Sequence, residues 1–216
     1  MNGRSLTCSA RGSVAEVRRF ESSPAGGRNP VDGAHQGAQY GGMQTCDVLL
    51  RQCLASDLSA LEAWAPTGNS RTHAWRFSRQ QAGTSTYYLA SCQQAPEDFV
   101  GSCEVRWDGC AAPEVPRCPE INGLQVWPEH LQSKGIGTQR LALVELEVRA
   151  RGFDNLGLGV DDPRAKALYL RLGYRYSVLD YVDRYSWVDA DHREHQVAEW
   201  GQWMTKTLTR SGEVAS

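Results

Sequence analysis

The stretch from Glu120 to Gly152, EINGLQVWPEHLQSKGIGTQRLALVELEVRARG, constrains the fold of this chain more than any other. Its first eight residues read as a strand stopped by Pro128, and a helix is predicted over about 134–151. Leu141, Val144 and Val148 make the apolar stripe of that helix, with Gly137 one turn earlier. Glycine costs about 1 kcal/mol against alanine inside a helix, so the pair Gly135 and Gly137 at its start calls for a reason. The first N–H groups of a helix lack partners and carry the positive end of its dipole. An anion docks there, a phosphate above all. Glycine allows unusual backbone angles and lets a bulky anion approach the main chain. The apolar run NLGLGV follows the helix, which makes strand–helix–strand from 120 to 160 a parallel, right-handed crossover.

The rest of the chain reads around this unit. CDVLLRQC is a strand. SDLSALEAW is a helix with Ser56 as N-cap and Leu58, Leu61 and Ala65 on one face. STYYLASCQ and DFVGSCEVRW are strands joined by a Pro/Glu/Asp turn. DPRAKALYLRLGY is a helix capped by Asp162, with Pro163 in its first turn and Gly173 ending it. YRYSVLDYV and VAEWGQWMTKTL are two last strands. The order β-α-β-β-β-α-β-α-β-β predicts an α/β fold, with a mixed, mostly antiparallel sheet flanked by helices and a parallel crossover after the glycine loop.

Residues 1–42 are rich in Gly, Ser, Arg and Ala without a sustained period, and read as a disordered extension. The folded domain is expected over 43–210, and Met43 as the start of the functional protein. The 216 residues carry a net charge of −2, against the basic surplus that nucleic acid or an anionic membrane requires. No apolar run approaches a membrane span and no secretory signal is visible. Seven cysteines without a Cys-x-x-Cys pair then read as reduced thiols in the cytoplasm. Cys103, Cys110 and Cys118 fit no common zinc spacing, and no metal is expected. His192 and His195 lie in a polar hairpin connection, and His130 helps shape the turn before the glycine loop.

Which phosphate ligand suits the loop? The pattern G-x-x-x-x-G-K-S/T is absent, and G-x-G-x-x-G fails because Arg140 stands where its third glycine would be. Gln132-Ser133-Lys134-Gly135-Ile136-Gly137 instead matches Arg/Gln-x-x-Gly-x-Gly/Ala. It follows the strand ending in VWPEH, opens a helix, and precedes LGLGV and DDPRAKALYLRLGYR at a fixed separation. Together these resemble the GNAT superfamily of N-acetyltransferases, most closely over 120–175 and in outline from about 46 to 208.

The resemblance implies acetyl-coenzyme A as cosubstrate. The main-chain N–H groups of Gln132, Lys134, Gly135, Gly137 and Thr138 would face its pyrophosphate. Main-chain groups near Leu124 and Val126 would bond the pantetheine arm, and one N–H would polarise the thioester carbonyl. Asp161-Asp162-Pro163 stands where the family often has an Asn reaching the arm, so that role is not carried over. Tyr169 takes the position of a tyrosine aimed at the cofactor sulfur, a candidate acid for the leaving thiolate. Glu120 and Glu104 are rival candidates for the base. Alternation puts Glu120 and Asn122 on one face with Leu124 and Val126.

The acceptor implied is a primary amine, most simply of a small molecule, and a homodimer is compatible with the family. Asp180 or Asp183 among the C-terminal aromatic residues would attract a cationic amine, and Trp64 and Trp75 would form another wall. Three alternatives stand beside this reading: acetylation of a protein N-terminus or lysine, an acyl-CoA-binding module without transfer, and a nucleotide-binding protein.

Overall fold

The computed structural model describes residues 46–208, so the extension 1–42 lies outside the described residues. Seven strands form one sheet: β1 (Val48–Gln52), β2 (Ser85–Cys92), β3 (Ala95–Arg106), β4 (Glu120–Val126), β5 (Asn155–Val160), β6 (Arg175–Val188) and β7 (Glu194–Thr207). Their order across the sheet is β1-β2-β3-β4-β5-β7-β6. Only β4 and β5 run parallel, and every other neighbour pair is antiparallel. The mixed, mostly antiparallel sheet is therefore as the sequence predicts.

Four α-helices cover it: α1 (Leu58–Trp64), α2 (Thr72–Gln81), α3 (Ile136–Ala150) and α4 (Pro163–Arg171). Helices α3 and α4 share one face. There Leu141, Val144 and Val148 are fully buried and pack with Tyr88, Cys103, Val105, Ile121, Leu158, Tyr169 and Met204. Each such aliphatic side chain contributes about 1.5–3 kcal/mol by leaving water. On the other face Leu61 of α1 and Phe77 of α2 pack on Tyr87 and Leu89, the neighbours of Tyr88 in β2 whose side chains alternate to that side.

Several local readings are corrected. Helix α2 joins the expected order. The turn between β2 and β3 is at Gln93–Gln94, and Pro96, Glu97 and Asp98 belong to β3. Before α1 the chain makes a 3-10 turn over Ala55–Asp57, where Asp57 and not Ser56 takes an orphan donor: its Oδ2 accepts the Leu54 N–H at 2.7 Å. Asp162 does cap α4, accepting the Arg164 N–H at 2.8 Å, and Gly173 leaves that helix at φ +92°.

The cysteines are not all reduced thiols. Cys46 and Cys92 form a disulfide with a Cα–Cα distance of 5.3 Å, because β1 pairs with β2 so that Val48 stands opposite Cys92. With this disulfide the cysteines do not point to the cytoplasm. Cys103 lies in the core beneath α3, whereas Cys110 and Cys118 pack with Val115, Tyr181 and Trp203.

A single extra residue in β4 changes which way its side chains face. Asn122 stands opposite Glu104 and Gln125 opposite Ser102. Two residues of β4, Gly123 and Leu124, thus span the place of one residue of β3, with Gly123 at φ +61°. This is a β-bulge. Glu120 and Asn122 face the α1/α2 side beside Arg106 and Glu104, while Ile121, Leu124 and Val126 pack on the α3/α4 side. Strict alternation, which put all four even-numbered residues on one face, fails at Gly123.

Candidate active site

Strands β4 and β5 are hydrogen-bond neighbours only at Glu120↔Gly157 and Ile121↔Leu158. Beyond Ile121 they part, and the gap opens toward the start of α3. The Trp127 N–H donates to the Val100 carbonyl at 3.2 Å. In an antiparallel ladder, pairs that exchange bonds alternate with pairs that do not, so Gln125 points its N–H and C=O at β3. Val126 points both of its groups the other way, into the gap. The loop confirms that direction: Nε2 of Gln132 donates to the Val126 carbonyl at 3.2 Å.

The glycine loop forms the rim of this gap. Ser133 and Gly135 both adopt positive φ, +61° and +84°, and Gly135 is the N-cap of α3. The first helical bond runs from the Gln139 N–H to the Gly135 carbonyl at 3.0 Å. The N–H groups of Ile136, Gly137 and Thr138 therefore have no carbonyl one turn back. Gln132, Lys134, Gly135 and Thr138 are exposed, so the cradle is open to a ligand. The two glycines differ. Gly135 needs its φ, while a Cβ at Gly137 would meet Leu168 and Val126 at 3.8 and 3.9 Å, ordinary contact distances. The protein's own packing does not require glycine at 137.

Ile136 packs with Val48, Ala90 and Val100 and against the disulfide-bonded Cys46 and Cys92. Gln139 adds two bonds from the same turn, Nε2 to the Cys46 carbonyl at 2.8 Å and Oε1 from the Val48 N–H at 3.1 Å. These contacts fix the start of α3 against β1.

Tyr169 is the most buried residue of α4 and the centre of its packed face, with Ala165, Leu168 and Leu172 half-buried around it. Its ring lies 5.8 Å from that of Tyr174. Burial pushes its phenol up to about 12, opposed by the charge of Arg140. Tyr174 is fully buried in the same core.

The carboxylates lie on the α1/α2 face. Glu104 is fully buried and accepts from Arg79 Nε at 2.7 Å and Nη2 at 2.5 Å, with Arg76 at 4.0 Å. Glu120 is also buried and accepts from Arg106 Nη1 at 3.1 Å. Neither has the solvent-facing fate usual for glutamate. Sequence reasoning missed the arginines, and it missed His73, whose Nε2 lies 2.7 Å from the Ala65 carbonyl and whose Nδ1 lies 2.6 Å from Tyr87 Oη. A carbonyl only accepts, so Nε2 carries the proton and Nδ1 of the neutral ring accepts from the tyrosine. Burial holds the His73 pKa below its ordinary value.

The β6–β7 hairpin forms a third wall. Met204 packs in the α3/α4 core, so its neighbour Trp203 faces the other side, as do Gly201 and its partner Tyr181. Tyr181, Asp183 and Tyr185 are buried along that row. At the tip the Ala190 N–H donates to the Asn69 carbonyl at 3.1 Å, between α1 and α2. Of the expected acceptor-side residues, Asp183 and Tyr181 thus lie on the α1/α2 face, whereas Asp180 and Trp200 are exposed. Trp64 packs edge-on against Phe99 at 5.9 Å. His195 stacks on Trp187 and pairs with Asp189 at 2.8 Å within the hairpin.

Among curated protein sequences none matches this chain. Solved structures share the fold. The ribosomal-protein-S18-alanine N-acetyltransferase of Escherichia coli is 18% identical with a TM-score of 0.50, over 77% of this chain and 97% of that one. Spermidine N-acetyltransferase from Vibrio cholerae, in complex with CoA and spermine, is 14% identical with a TM-score of 0.50, over 74% and 95%. A phosphinothricin acetyltransferase from Sinorhizobium meliloti, in complex with AcCoA, is 18% identical with a TM-score of 0.51, over 74% and 88%. The family model for the acetyltransferase (GNAT) family matches residues 50–174, from β1 through α4 to Tyr174. The strand gap, the glycine cradle on its rim and that match lead to one statement: this chain belongs to the GNAT acetyltransferase family.

Proposed function

We propose that the protein is an N-acetyltransferase that moves an acetyl group from acetyl-CoA to the primary amine of a small molecule, by direct attack while both are bound. The observation that carries this reading is the orientation of Val126. Both its backbone groups face the β4–β5 gap, and the open N–H cluster of α3 stands at the rim. Extended, amide-bearing chains with a pyrophosphate end suit this arrangement, with the anion at the helix start and the amides along β4. When bound, acetyl-CoA supplies an activated acyl group and a thiolate leaving group.

The chain's own residues then divide the work. Gln132, Lys134, Gly135, Gly137 and Thr138 hold the pyrophosphate, and Leu124 and Val126 hold the arm. Tyr169, kept as a phenol by burial, is the proton donor to the leaving sulfur. Glu120 and Glu104 stand under the acceptor face as the candidates to take the amine proton, directly or through water. Asp183, beside Tyr181 and Tyr185, draws a cationic amine to that face. The buried carboxylate of Asp183 between Tyr181 and Tyr185 is the feature that supports a small cationic amine; a protein amine is the alternative acceptor.

The test is thermal melting of the full chain with acetyl-CoA, CoA, ATP and NAD, followed by turnover on an amine panel. A ligand at about 100 times its dissociation constant adds about 2.7 kcal/mol. A shift with acetyl-CoA and CoA alone is expected. No shift with either overturns the reading, and binding without turnover on any amine would turn it into that of an acyl-CoA-binding module.

A further inference from the structure

Arg140 breaks the dinucleotide pattern in the sequence, and its place in the fold is unusual. The side chain is fully buried. Nη1 donates to the Gln125 carbonyl, while Nε and Nη2 find no hydrogen-bond partner among the described residues. Among those residues no carboxylate pairs with it either. A buried charge held by so little is costly. A second position serves the same contact: a Cβ at Gly101 would overlap the guanidinium. The chain therefore uses a charged residue and a glycine to deliver one bond to one carbonyl of β4.

That carbonyl belongs to the peptide unit whose other end is the Val126 N–H. Gln125 C=O points to β3 and the Val126 N–H points into the gap. A charge-assisted bond at the oxygen is roughly twice as strong as a neutral one, and polarisation passes through an amide to strengthen the donor at its other end. We propose that Arg140 is a positioning residue for acyl transfer: it grips the Gln125 carbonyl, and so aims and strengthens the Val126 N–H as the donor to the acyl carbonyl oxygen. This rests on the acetyl-CoA reading above. It adds a residue of α3 that touches neither substrate.

The experiment compares the full-length wild type with Arg140→Met and Arg140→Lys. In the ligand-free proteins, the Val126 amide proton resonance is read by NMR. Arg140→Met moves it upfield and Arg140→Lys restores much of the shift. With acetyl-CoA and the best acceptor of the panel, kcat of Arg140→Met falls about tenfold, against 10²–10³ for loss of a whole donor, while KM for acetyl-CoA stays within about twofold. If Arg140→Met does not fold, Arg140→Gln, which keeps a neutral donor for the Gln125 carbonyl, should give an intermediate amide shift and an intermediate kcat. An unmoved Val126 amide in a folded, active variant overturns the proposal while leaving the transferase intact. So does a moved amide with unchanged kcat. A wild type that does not bind acetyl-CoA overturns both readings at once.

Discussion

Gln132 and Val126 meet where the loop turns into α3: the Gln132 amide donates to the Val126 carbonyl at 3.2 Å. The first residue of the glycine motif therefore ties the loop to the strand through its side chain, in addition to the main-chain role expected of it. A single exposed bond of this kind is worth about 1 kcal/mol. Gln132→Ala should weaken CoA binding roughly fivefold with little change in Tm, read by titration calorimetry and melting side by side.

The two glycines separate stability from binding. Gly135 sits at φ +84°, where alanine costs about 1–2 kcal/mol, so Gly135→Ala should lower Tm even without ligand. At Gly137 a Cβ meets only ordinary contacts. Gly137→Ala should leave Tm unchanged or slightly raised and yet reduce CoA affinity, because the methyl group occupies the approach to the helix N–H groups. Loss of stability without loss of affinity at Gly137 would contradict the cradle.

Tyr169→Phe keeps the packing of α4 and removes one proton. A drop in kcat of about 10²-fold is expected, at the low end for general acid catalysis, with CoA affinity preserved. The raised folded pKa also has a consequence for stability. The unfolded chain releases the phenol proton above about pH 10, while the native state holds it to about 12. The stability tied to this proton is present below pH 10 and is lost as pH rises from there through 12. Denaturant melts of wild type and Tyr169→Phe should therefore diverge in slope above pH 10.

His73 works in the opposite direction. Its folded pKa lies below the ordinary value because it is buried. Below about pH 6.5 the unfolded state takes up a proton that the native state refuses. Stability is thus present above pH 6.5 and is lost as pH falls toward the folded pKa. His73→Asn should flatten the fall in stability between pH 7 and 5, measured by urea unfolding.

Reduction of Cys46–Cys92 releases a cross-link between residues 46 apart in sequence, worth about 2–4 kcal/mol. Melting with and without a reductant should show this loss, and Cys46→Ser should abolish the difference.

Much of this architecture was legible in the chain, because α3 and α4 advertise themselves. Leu141, Val144 and Val148 keep a clean apolar period, and Asp162, Pro163 and Gly173 punctuate the next helix. Helix α2 carries no such mark. Its buried residues are Thr72, His73 and Arg76, polar groups that face Ser70, Ala65, Tyr87 and Glu104, so no apolar stripe announces it. The same polar layer hides the surroundings of Glu104, whose arginine lies 25 residues upstream. Alternation along β4 misled for a local reason: Gly123 reads as one more strand residue until its positive φ is known. The Cys46–Cys92 pairing was out of reach because spacing does not determine connectivity.

The bulge at Gly123 gives β4 two phases. Up to Asn122 the even-numbered side chains belong to the acceptor layer; from Leu124 they belong to the layer of α3 and α4. Deleting Gly123 would bring the strand back into a single phase. Leu124, Gln125 and Val126 would keep their faces, whereas Gly123 held in ordinary strand geometry would exchange all three and turn over the peptide that Arg140 holds. The backbone conformation at this one point, more than the identity of any neighbouring side chain, decides whether the amine layer and the coenzyme layer meet across the same strand.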